Sequence, residues 1–234
     1  MEEHGCDIGI ATDGDADRLG VIDDKAEFLH PNKILVLLYY YLMRYRGWRG
    51  AAVRNLATTH LLDRIAEDFG ETCYEVPVGF KYVSAKMVET GAIIGGESSG
   101  GLTVRGHIQG KDGIYAAALL VEAIAKTGRR LSALWDEITQ KYGAAEMAEH
   151  DFHFSSAERT RIFKLLMEDK QLPEFPCEIA KVSYMDGCKV YFKNGGWVIA
   201  RFSGTEPLLR VFCEMDTMEN AEKIAKILTE FLSL

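Results

Sequence analysis

The chain has 234 residues, 27 Lys+Arg against 35 Asp+Glu, a formal net charge of −8, and 47% hydrophobic and 26% charged residues. That length suits one large domain or two modest ones, and the composition excludes disorder, collagen and, with no apolar run near the roughly 20 residues a membrane helix needs, a transmembrane segment. An acidic balance gives no bulk attraction to polyphosphates, so nucleic acid and membrane are not expected partners, and an anionic ligand needs a local basic group or a bound cation.

In chain order, short apolar runs at 8–12 and 19–22 flank a polar, acidic turn, a pattern for two buried strands and a functional loop. Pro31 opens a helix over 32–45. Strand at 51–56, helix at 61–69 before Gly70, strand at 73–76, helix at 80–90 before Gly91 and a short strand at 93–94 follow. Helices at 113–126 and 131–142 complete a layered α/β domain to about residue 145. Beyond it, Ser155 and Glu158 form a capping-box signature for a helix through about residue 169, broken by Pro173 and Pro176. Strands at 180–185, 189–192, 197–202 and 208–214, turning at Asp186-Gly187 and Asn194-Gly195-Gly196, lead to a final helix at 218–232. This second region reads as a small α+β domain, with the boundary near residues 143–150.

Three loops carry chemistry. In the turn Asp13-Gly14-Asp15-Ala16-Asp17-Arg18, alternate carboxylates repel one another unless a hard cation, Mg²⁺ or Ca²⁺, sits among their oxygens. The turn is not an EF-hand, since Arg18 stands at the glycine position and Asp24 at the final glutamate; the plain alternative is a solvated acidic turn. Gly95-Gly96-Glu97-Ser98-Ser99-Gly100-Gly101 lets backbone approach a ligand and offers Glu97 and Ser99 to sugar hydroxyls, or is only a glycine-rich turn. Arg201-Phe202-Ser203-Gly204-Thr205-Glu206-Pro207, with Arg210 beyond, combines hydroxyls, open backbone and guanidiniums, the makings of a phosphate monoester site. Glu206 either orients an arginine or is an exposed turn residue.

The ordered set DGDADR, GGESSGG and RFSGTEP resembles the metal-binding, sugar-binding and phosphate-binding loops of the α-D-phosphohexomutases, which interconvert hexose 1- and 6-phosphates through a bisphosphate and an active-site phosphoserine. The resemblance implies a phosphohexomutase domain 3 type α/β domain with a mixed sheet, followed by a small α+β C-terminal domain. It divides the chain into 1–25, a remnant of a second domain with the metal loop; 26–147, the sugar-binding domain; and 148–234, the phosphate-binding domain.

By the same resemblance Asp13, Asp15 and Asp17 are Mg²⁺ ligands and Arg18 stands beside the reacting phosphate. Lys81, in Gly79-Phe80-Lys81-Tyr82, faces the sugar, as do Glu97 and Ser99. Arg201, Ser203, Gly204, Thr205 and Arg210 hold the non-reacting phosphate, and Lys111, in Lys111-Asp112-Gly113, is a general acid/base or, on the plainer reading, a surface lysine opening a helix. His60 and His107 lack motif support and read as structural or exposed. The family's serine-bearing segment is absent from these 234 residues, so the expected partners are a hexose phosphate and missing N-terminal domains of the same enzyme, with glucose 1,6-bisphosphate as activating intermediate and the isolated chain inactive. GFKY, GGESSGG and KDG favour phosphoglucomutase; phosphomannomutase is the alternative, an aminosugar mutase a weaker match, and a non-catalytic sugar-phosphate-binding protein follows if the native chain starts at Met1. Cys6, Cys73, Cys177, Cys188 and Cys213, odd in number and without a C-x-x-C pair, read as reduced thiols of a cytoplasmic protein.

Overall fold

Around the acidic turn the chain doubles back on itself. The computed structural model describes residues 2–204 and 206–234, and the chain divides into two units, Met1–Gly143 and Ala144–Leu234. In the first, β1 (Gly9–Thr12), β2 (Leu19–Ile22) and β3 (Phe28–Leu29) form an antiparallel meander in that order. The two-residue side-chain period turns Leu19, Val21 and Leu29 into the core, while Ile10 and Phe28 stay exposed. The expectation of two buried strands holds only for β2: β1 has a neighbour on one side only, and Ile10, Ala11 and Thr12 are exposed.

Helix α1 (Pro31–Arg44) starts with Pro31 in its first turn and with His30 Nδ1 accepting from the Asn32 N–H at 3.2 Å. Every residue from Ile34 to Met43 is buried, so the helix is enclosed on all faces rather than along one stripe. Its three consecutive tyrosines then need outward partners: Tyr39 donates to the Gly50 carbonyl (3.2 Å), Tyr40 to Glu137 (2.6 Å) and Tyr41 to Glu122 (2.5 Å). Then come β4 (Ala52–Asn55), α2 (Leu61–Asp68), β5 (Cys73–Val76), α3 (Phe80–Thr90), β6 (Ile94–Gly96), β7 (Leu102–Val104), α4 (Gly113–Thr127) and α5 (Leu131–Tyr142). The sheet order is β5-β4-β6-β7; β4 is parallel to β5 and β6, which requires the crossover helices, and β7 is antiparallel, giving the mixed α/β sheet.

The second unit is an antiparallel sheet of order β8-β12-β11-β10-β9, built from β8 (Glu146–His153), β9 (Ile179–Ser183), β10 (Cys188–Phe192), β11 (Trp197–Phe202) and β12 (Leu208–Met215). Helices α6 (Ser156–Phe163) and α7 (Met218–Phe231) supply Ile162, Ala221, Ile224, Ala225 and Leu228 to a core with Val190, Val198, Ala200, Leu209 and Val211. The Ser155–Glu158 capping box is present, and the helix runs on as a π-helical turn over Lys164–Glu168. Strands β3, β7 and β8 escape the sequence patterns because β3 and β7 have two and three residues and β8 is rich in polar residues.

Candidate functional site

In the β1–β2 turn the Ala16 N–H donates to the Asp13 carbonyl (3.1 Å), with Ala16 at φ +57, and the Arg18 N–H donates to Asp13 Oδ1 (3.2 Å). This curl brings one carboxylate oxygen each from Asp13, Asp15 and Asp17 within 4.8 Å of the others. At such spacing each pair repels by on the order of 3 kcal/mol at an effective dielectric near 20. Two cations offset this: Arg18 Nε lies 3.0 Å from Asp13 Oδ2 and 3.3 Å from Asp17 Oδ1, and Lys111 pairs with Asp17 Oδ2. The Lys111 hydrogen bond is the largest influence on Asp17 and holds its carboxyl below the usual range, against the upward push of desolvation. An all-oxygen, three-carboxylate donor set on one turn suits a hard divalent cation such as Mg²⁺.

Two distant stretches close on this turn. Arg18 and Gly101 form an isolated antiparallel bridge, and the Gly113 N–H donates to the Ala16 carbonyl at 2.9 Å. Close approach of backbone forces Gly113, where a Cβ would lie 2.8 Å from the Arg18 carbonyl oxygen, whereas a Cβ on Gly101 would meet only the Lys111 stem, which would have to move aside. Asp112 caps α4 by accepting from the Tyr115 N–H (2.8 Å), and its other oxygen meets His107 Nε2 at 2.7 Å. His107 also stacks on Tyr115, with ring centroids 3.9 Å apart. The Tyr115 N–H first, then His107, hold the Asp112 carboxyl below its ordinary range.

Glu97 is buried at the head of the glycine-rich loop and accepts on Oε1 from Asn55 Nδ2 (2.9 Å) and the Gly79 N–H (3.0 Å). Gly79 is the N-cap of α3 at φ +129, so Glu97 ties its loop to the helix start where Lys81 stands exposed, 4.9 Å from the Tyr82 ring centroid. The Thr58 hydroxyl donates to Asn55 Oδ1 (2.8 Å) and accepts from the Ser98 N–H (3.1 Å), while Ser99 is exposed. His60 lies 3.7 Å from Glu75, which pairs with the buried Arg54.

In the second unit Arg201 on β11 and Arg210 on β12 are direct cross-strand partners. Both lie on the face opposite Ala200, Leu209 and Val211, which point into the core. Arg201 Nε donates to Asp186 at 2.9 Å, and Arg210 reaches Glu206 (3.3 Å) and Asp151 (3.7 Å). The Ser203 N–H donates to the Leu208 carbonyl, and its hydroxyl accepts from the Glu206 N–H at 3.4 Å, which closes the turn beside exposed Gly204. Thr205 lies outside the described residues. Glu206 thus faces an arginine.

The structure therefore gathers Asp13, Asp15, Asp17, Arg18 and Lys111 in the first unit, with the Glu97 loop joined through Gly101, and Arg201, Ser203, Gly204 and Arg210 in the second. Asn55, Thr58, Asp151 and Asp186, which hold these groups, stand outside the three loop motifs; only Asp186, in an Asp-Gly turn, carried a local signal.

The model described as phosphoglucomutase/phosphomannomutase, alpha/beta/alpha domain III, matches residues 30–142, and that family's C-terminal domain matches residues 163–231. The chain belongs to the phosphoglucomutase/phosphomannomutase family. A phosphoglucomutase/phosphomannomutase of Thermococcus kodakarensis is 34% identical over 223 residues, which are 95% of this chain and 46% of that protein. A probable phosphoglucosamine mutase of Pyrococcus furiosus is 31% identical over 226 residues, 97% of this chain and 48% of that protein. The crystal structure of a putative phosphomannomutase from Thermus thermophilus superposes with a TM-score of 0.78 at 31% identity, covering 97% of this chain and 46% of that one. The chain thus spans about half the length of the family members it matches, and their names cover glucose, mannose and glucosamine.

Proposed function

We propose that this chain supplies the cation-holding, sugar-holding and phosphate-holding residues of a phosphoglucomutase, the phosphoserine coming from a segment outside these 234 residues. The reading rests on one observation: the acidic turn, Arg18, Lys111 and the glycine-rich loop meet in one unit, joined by the Arg18–Gly101 bridge and the Gly113–Ala16 hydrogen bond. Asp13, Asp15 and Asp17 hold Mg²⁺, which when bound offsets charge on the transferring phosphoryl group. Arg18, half-exposed beside the carboxylates, clamps that phosphoryl group. Lys111 Nζ exchanges a proton with the attacking or leaving sugar hydroxyl, a role supported by its pairing with Asp17 of the acidic turn.

Glu97, held on Oε1, turns its other oxygen to a ring hydroxyl, with Ser99 and Lys81 as neighbouring donors. Arg201, Ser203, Gly204, Thr205 and Arg210 hold the phosphate that does not react. The phosphoserine gives its phosphoryl group to the free hydroxyl of a hexose phosphate, forming the 1,6-bisphosphate, and recovers one from the other carbon. Glucose is favoured by the GFKY, GGESSGG and KDG segments, and the free cysteines suit a cytoplasmic enzyme. The test is a mutase assay on glucose 1-phosphate, mannose 1-phosphate and glucosamine 1-phosphate, with the chain alone and mixed with a separately expressed N-terminal half. Turnover of glucose 1-phosphate by the mixture only is expected; a preference for another sugar reassigns the substrate, and no turnover of any sugar removes the catalytic reading.

A further inference from the structure

Four charged side chains form a lateral row across the second unit. Asp151 on β8 is the register partner of Arg210 on β12, and Arg210 is the register partner of Arg201 on β11. Asp186, in the turn between β9 and β10, closes the row by accepting from Arg201 Nε at 2.9 Å. The order is acid, base, base, acid. Two like charges directly opposite one another on neighbouring strands are destabilising, so the central pair needs a reason to be there. An anion held between them is one, and the outer carboxylates then bear on how it is held.

The two arginines are restrained differently. Arg210 is shared between Glu206 (3.3 Å) and Asp151 (3.7 Å), and its Nε is buried without a hydrogen-bond partner among the described residues. Among the described residues, Arg201 has one short ion-pair contact, to Asp186, and it is made through Nε. Nε is the inner N–H of the guanidinium. Holding it fixes the plane of the fork and leaves both terminal amines for a bidentate contact with phosphate oxygens.

The Asp186 turn is itself pressed onto the strand that carries Arg201. Gly187 has φ +93, and a Cβ there would lie 2.6 Å from the Ala200 carbonyl oxygen and 3.0 Å from Arg201 Cα. No side chain fits between turn and strand, so Asp186 is delivered at fixed height beside Arg201. We infer that Asp186 is a positioning residue for phosphate: it acts through Arg201, aligning the guanidinium so that its terminal amines meet the anion. The inference deepens the proposed function and rests on the phosphate reading of the Arg201–Arg210 loop.

Charge and alignment predict opposite outcomes here. A carboxylate near an anion site weakens binding by repulsion, so removing it should tighten phosphate binding if Asp186 acts by charge alone. If it acts by alignment, removal weakens binding. The experiment titrates inorganic phosphate into the 234-residue chain, following by NMR the Arg201 Nε–Hε signal and the Ser203 and Gly204 amides, for wild type, Asp186→Ala and Asp186→Asn. The expected result is phosphate-dependent shifts of these signals in wild type and binding roughly 5–10-fold weaker in Asp186→Ala, about the net worth of one ordinary hydrogen bond, because the Arg201 contact is misaligned rather than removed. Asp186→Asn, whose side-chain oxygen still accepts from Nε, should fall between the two, and the Arg201 Hε signal should lose its protection from exchange only in the alanine variant. Equal or tighter binding by Asp186→Ala overturns the positioning role and leaves the phosphate loop standing. Absence of phosphate shifts in wild type overturns the loop reading and the inference with it. Should Asp186→Ala unfold, Asp186→Ser decides, because its short side chain cannot reach Arg201 Nε: weaker binding supports alignment, equal or tighter binding overturns it.

Discussion

The two units assemble their charged groups by different means. In the first, residues 13–18, 97–101 and 111–113 come from separate loops and are joined by backbone contact, with backbone leaving no room for a side chain at Gly113. In the second, Arg201 and Arg210 come from neighbouring strands, and sheet register alone sets them side by side. A site made by converging loops is brittle to added volume. One made by register is robust to it and sensitive instead to the groups that aim each side chain.

The strongest way to break this contrast is Gly113→Ala. Helix propensity favours alanine by up to about 1 kcal/mol, but the new Cβ would lie 2.8 Å from the Arg18 carbonyl oxygen, so the overlap should win and destabilise the first unit by ~2 kcal/mol. Urea unfolding with a probe in each unit checks it, because two units need not share one transition. Arg201→Ala comes next and should weaken phosphate binding to the chain by about 1–3 kcal/mol with little change in melting; an unchanged affinity would place the phosphate elsewhere. Asp112→Ala removes a helix cap and should cost about 1 kcal/mol at neutral pH.

That last cost should also depend on pH with a defined sign. The folded Asp112 carboxyl lies below its usual value, so its contribution is present above the unfolded value near ~3.9 and is lost as pH falls through the folded one. The stability difference between wild type and Asp112→Ala should therefore shrink on acidification. The smallest effect belongs to Gly204→Ala: a Cβ there meets nothing within 4 Å among the described residues and φ is not positive, so stability should be unchanged. A large loss at Gly204 would show that the phosphate turn is as tightly locked as the acidic one.

Much of this was legible in the chain. The acidic turn and the arginine-bearing loop stand out by residue type, the glycine-rich loop gains weight only beside them, and the capping box at Ser155 and Glu158 marks the start of α6. What could not be read were pairings that arise only from register and crossover. Asn55 reaches Glu97 across 42 residues because β4 and β6 lie parallel, and Asp186 meets Arg201 because a hairpin folds back over β11. Strand β8 hid behind Glu146, Glu149 and Asp151, which an edge position tolerates. β1 reads as buried for the reverse reason, since an apolar strand at an edge looks in sequence like one at the centre.

The enclosed helix α1 has an optical consequence. Burial, above all, raises the phenol pKa of Tyr39, Tyr40 and Tyr41 beyond the ordinary value of about 10. Above that value the unfolded chain ionises its phenols freely and the folded chain does not, so alkali draws the first unit toward unfolding, and stability falls as pH rises. Phenolate absorbance from this run of three should appear together, in one cooperative step, as α1 meets water. The Tyr39-Tyr40-Tyr41 run is thus a built-in indicator dye for the opening of the unit that carries the acidic turn.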